Sequence, residues 1–94
     1  MQKVTQELKK MRKRVESIDI QIIKLLRERF IFTNQIQTLK RVLFHALNQK
    51  KREKTLLKKY VALAKRYGLN MQLIKKLFQS IFSYSKKSGI IKRT

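Results

Sequence analysis

Residues 8–43, LKKMRKRVESIDIQIIKLLRERFIFTNQIQTLKRVL, decide the fold. Apolar side chains return at alternating intervals of three and four, at Leu8, Met11, Val15, Ile18, Ile22, Leu25, Phe32, Ile36, Leu39 and Leu43. Arg29 fills the one position of this series that is not apolar. A spacing that averages 3.5 residues holds one stripe of an α-helix against a single partner, here for about five heptads. No proline occurs in the chain and neither of its two glycines falls in this stretch, so nothing breaks the helix from within. The pattern predicts one long helix over about 5–43, packed along most of its length.

Downstream, the seam ends near Phe44, and the polar segment His45–Lys51 contains Asn48, placed to cap a second helix over about 49–67. Its apolar stripe is Leu56, Leu57, Tyr60, Leu63, Ala64 and Tyr67, and Gly68 stands where a left-handed C-terminal cap is wanted. Asn70 reads as the cap of a third helix, about 71–87, with Leu73, Ile74, Leu77, Phe78, Ile81 and Phe82 on one face, continued by Ser85. The tail from Lys86 is expected to fray. The reading is an all-α single domain over 1–94, with one long and two short helices. A helix of about 40 residues is roughly 60 Å long, whereas a compact domain of this size has a radius of gyration near 13 Å. Two short helices cannot cover it, and no cysteine is present to staple a small core. An intertwined helical homodimer is the simplest arrangement that buries the seam.

Twenty-five Lys and Arg against five Asp and Glu give a formal charge of +20. Such a field concentrates anions, whether a small dicarboxylate, a nucleic acid or an anionic membrane. For any single lysine a solvated surface is the plainer account, and this applies to the basic face Lys50, Lys51, Lys54, Lys58 and Lys59. The leading MQKVTQELKKMRKR lacks the apolar core of a signal peptide, and no apolar run is long enough to cross a bilayer. A cytoplasmic protein without membrane attachment is expected. One histidine, His45, and no cysteine argue against zinc, and Ser85 has no histidine partner for nucleophilic catalysis. Tyr60, Tyr67, Phe78 and Phe82 fall at helical spacing and read as core rather than as stacking platforms for bases.

Arg29 is the most informative residue. A guanidinium in an apolar seam needs an anion, and two readings stand: a structural ion pair with Asp19, Glu28 or Glu53, or a ligand. Lys40, eleven residues on, lies only about 20° around the helix from Arg29 and about three turns along it, so two cations share one side. Arg12 lies about 25 Å before Arg29 on the same helix, too far to hold the same small molecule within one subunit, but able to serve a partner's site in a dimer.

The run MRKRVESIDIQIIKLLRERF from Met11 to Phe30 resembles the first helix of all-α chorismate mutases, where a pattern close to LR..I..ID..I..LL.ER is followed eleven residues later by Lys. The resemblance continues through KREKTLL at 51–57 and YGLN...IKKLFQSIFSYS at 67–85. It implies that Arg29 and the partner subunit's Arg12 hold the two carboxylates of chorismate, with Ser85 adding a hydrogen bond and Arg52 positive field. It further implies that Lys40 donates to the ether oxygen and Glu53 accepts from the ring hydroxyl. The implied reaction is the Claisen rearrangement of chorismate to prephenate in aromatic amino-acid biosynthesis, which needs no metal or cofactor.

Two positions depart from the family's pattern. Gln49 stands where an Asp is usual, and Gly89 stands where relatives supply a Gln or Glu side chain to the ether oxygen. Loss of one such donor typically costs about 10² to 10³ in rate; Lys86 or Ser88 are conceivable substitutes. The alternatives are a basic helical dimer, a degenerate mutase that binds nucleic acid or regulates, and an isochorismate pyruvate lyase on the same fold.

Overall fold

The computed structural model describes residues 1–43 and 49–86, with side chains for 1–39 and 50–86. Three helices and no strand are found among the described residues: α1 (Gln2–Leu43), α2 (Gln49–Arg66) and α3 (Met71–Ser85). The chain is all-α. The Asn48 cap and His45 lie outside the described residues.

α2 and α3 form an antiparallel hairpin whose turn is set by two residues. Gly68 has φ +71°, the left-handed region, and nothing crowds a Cβ there, so glycine is favoured by the backbone conformation and not by space. The Leu69 amide donates to the Ala64 carbonyl at 2.8 Å and the Gly68 amide to Lys65 at 3.2 Å, the bond pair of a Schellman cap. Asn70 then turns the chain into α3, its Oδ1 accepting from the Leu73 amide at 3.0 Å.

The hairpin is closed by three rings. Tyr60 lies 4.6 Å from Phe78 and 6.4 Å from Phe82, centroid to centroid, with Phe78 and Phe82 6.1 Å apart, within the range of favourable tilted aromatic contact. Ala64, Ile81, Phe82 and Ser85 are buried. The apolar stripes expected on these helices are only partly covered: Leu63, Tyr67, Leu73 and Leu77 remain exposed. Two helices meeting along one line bury a narrow strip each, and those four residues lie beside it.

α1 is about 63 Å long at 1.5 Å per residue, matching the 64 Å long axis of the molecule, and the radius of gyration is 17.8 Å. Of the two short helices it contacts α3. Arg29 and Gln37 make the contact, and Leu26, Phe30 and Thr33 on the same side of α1 are half-buried, a strip beside the seam. The seam itself stays open: from Leu8 to Leu39 every apolar member keeps at least 46 % of its surface exposed.

Candidate active site

The site is assembled where the last turn of α3 crosses α1. Arg29 leaves the helix at the boundary between the exposed seam and the strip under α3. Its Nη1 donates to Ser85 Oγ at 2.7 Å, and its Cζ lies 5.3 Å from the centroid of the Phe82 ring, a cation–π distance. The Ser85 hydroxyl in turn donates to the Ile81 carbonyl at 2.7 Å. With its single proton committed to Ile81, Ser85 receives from Arg29 and orients the guanidinium. It can donate to a ligand only by giving up Ile81.

Neither Asp19, Glu28 nor Glu53 pairs with Arg29. Asp19 and Glu28 are exposed on α1, and Glu53 is taken by Lys86, whose Nζ lies 2.9 Å from Oε1 and 3.0 Å from Oε2. The guanidinium carries five N–H donors and spends one on Ser85. Among the described residues the half-buried guanidinium has Ser85 as its hydrogen-bond partner and no counter-carboxylate, so its other donors can receive an anion.

Beside this cluster a groove of about 380 Å³ runs between α2 and α3, lined among others by Lys50, Glu53, Lys54, Leu57, Phe82 and Lys86. Phe82 therefore has the Arg29 guanidinium over its ring and the groove against its side. Glu53 faces the groove with 17 % of its side chain exposed, while Arg52, its neighbour in sequence, points to solvent. Arg12 is likewise exposed on α1, about 25 Å from Arg29 along the axis, and does not reach this cluster within the chain. Lys40 and Gln49 belong to α1 and α2 by backbone, with side chains outside those described; Gly89 lies outside the described residues. Among the described residues no group of three or more potential metal ligands gathers.

Two contacts lie beyond those singled out in the sequence. Gln37 Nε2 donates to the Ser85 carbonyl at 2.8 Å, taking up a carbonyl that the end of α3 leaves without an intrahelical partner and so tying the Ser85 turn to α1. A signal for it exists: Arg29, Thr33 and Gln37 recur at i, i+4 and i+8 and put three polar residues on one strip beside the apolar seam. The second is the pairing of Lys86 with Glu53, which nothing in the spacing of the two residues announces.

No curated protein and no solved structure matches the chain. Residues 11–89 match the chorismate mutase type II family, an all-α family. The matched span takes in the whole Arg29–Ser85 cluster and the groove beside it, and with most of its length inside that match, the chain belongs to the chorismate mutase type II family.

Proposed function

We propose that the chain converts chorismate to prephenate as a homodimer, each site being completed by the partner subunit's Arg12. The observation that carries this reading is the Arg29 guanidinium, half-buried, steered by Ser85 and Phe82 and lacking a carboxylate among the described residues. A dicarboxylate supplies what it lacks. The exposed seam of α1 supports the second copy: the nine apolar positions from Leu8 to Leu39, in coiled-coil register, are more than one chain leaves in water without a partner. A crossing or antiparallel pairing of two α1 helices also brings a distant Arg12 to a site that its own chain cannot serve.

The chemistry asks little of the protein beyond shape and charge. One carbon–oxygen bond breaks as one carbon–carbon bond forms, with no proton moved and no nucleophile consumed. Arg29 and the partner subunit's Arg12 hold the two carboxylates and favour the compact conformer in which the reacting ends meet. Lys40 donates to the ether oxygen as negative charge grows there, an interaction stronger in the transition state than in the bound substrate. Glu53 accepts from the ring hydroxyl, and Arg52 and Gln49 border the site. We further propose a cytoplasmic setting; none of the described helices is long and apolar enough to cross a membrane.

The experiment is the loss of chorismate absorbance with identification of the product. Prephenate is expected, and Arg29→Ala lowers kcat/KM by at least about 10²-fold while dimer and helicity persist. Elimination of pyruvate from isochorismate in place of prephenate formation would assign the site to the lyase reaction.

A further inference from the structure

Lys86 is the first residue after α3, and its ammonium contacts both carboxylate oxygens of Glu53, at 2.9 and 3.0 Å, across 33 residues of sequence. Most ion pairs between exposed side chains are incidental. This one differs in position: Glu53 is largely enclosed, its side chain 17 % exposed, while Lys86 keeps 45 %, and both line the groove beside Phe82. The lysine therefore stands between the enclosed carboxylate and solvent, at the wall of the groove. An ammonium has three donors; one is hydrogen-bonded to Glu53 Oε2, with Oε1 held in the same ion pair.

The charge balance of the groove points the same way. Without Lys86, Glu53 would present a bare negative charge to an incoming dianion, and carboxylates a few ångströms apart in a partly enclosed site repel strongly. With Lys86 paired to it, Glu53 is neutralised and Lys50 and Lys54 remain in excess along the same wall.

We propose that Lys86 is a substrate-anchoring cation of this site: Glu53 presents its ammonium to the α2–α3 groove, where a further donor takes a carboxylate oxygen of the bound substrate. The proposal rests on the mutase reading and adds a contact to it. Glu53 serves two ends, holding Lys86 and accepting from the ring hydroxyl.

The test is steady-state turnover of chorismate by the unchanged dimer and by Lys86→Met, Lys86→Gln and Lys86→Arg, with circular dichroism to confirm folding and calorimetric titration with chorismate as a second readout. Removing the charge is expected to raise KM and the calorimetric Kd by about tenfold or more, with kcat altered less than about threefold, and arginine restores most of the loss. Two neutral variants guard against one failing to fold. An unchanged KM, a fall in kcat alone, or arginine no better than methionine would overturn the anchor. If the unchanged protein binds chorismate with a Lys86-dependent affinity but forms no prephenate, the anchor stands and the mutase reading falls. Absence of binding sinks both.

Discussion

The α2–α3 hairpin and α1 are both amphipathic, yet they stand at opposite ends of self-sufficiency. The hairpin carries its own turn chemistry in Gly68 and Asn70, its own ring cluster in Tyr60, Phe78 and Phe82, and its own buried residues. α1 has none of these. Its seam from Leu8 to Leu39 lies open. The chain thus contains a hairpin closed by its own turn and rings, with part of its apolar stripes still exposed, and a long helix whose seam is open along its length. Most helical stability in proteins comes from packing of an apolar face, so for α1 that stability is to be sought in a second copy.

Ile22→Glu probes this contrast most severely. Ile22 touches nothing the isolated chain needs, being 51 % exposed, and a change there is neutral if the chain is complete alone. If the seam is an interface, the change removes about 1.5–3 kcal/mol of apolar burial per subunit and adds a charge to an apolar stripe, twice over by symmetry. Sedimentation velocity is expected to show a shift from dimer to monomer, with a large loss of ellipticity. A smaller effect belongs to the hairpin: Gly68→Ala forces a Cβ into the left-handed region and is expected to cost about 1–2 kcal/mol. It lowers the midpoint of thermal unfolding and leaves the dimer in place, because the turn stands apart from the seam.

The long helix is legible in the sequence because few structures besides a packed helix produce a sustained alternation of three and four. The hairpin turn is legible because glycine at a helix end and asparagine before the next helix each satisfy a specific backbone need. Arg29 stands out as an exception to its own stripe. What periodicity does not tell is which strip of α1 meets α3. A heptad pattern says that a face is covered, not by what, and α3 meets α1 at Arg29 and at Gln37, beside the seam. The recurrence of Arg29, Thr33 and Gln37 marks a polar strip, but not the partner of Gln37, a main-chain carbonyl 48 residues away. The pairing of Glu53 with Lys86 is hidden for a similar reason: in a chain with 25 basic residues, nothing marks one lysine as the partner of a given carboxylate until α2 and α3 are docked.

The site divides as the fold does. Within one chain Arg29, Ser85, Phe82, Glu53 and Lys86 come together, while Arg12 remains on the far part of α1 with no role in that cluster. Under the proposed function catalysis depends on completion by a second subunit, and subunit mixing examines that dependence without an intermediary. Arg12→Ala and Arg29→Ala homodimers are each expected to be nearly inactive, since every site lacks one arginine. After mixing and exchange, heterodimers hold one site with both defects and one site with neither, so random pairing restores about a quarter of the unmutated activity. Recovery to that level is the predicted result; no recovery after demonstrated exchange would contradict a site shared between subunits.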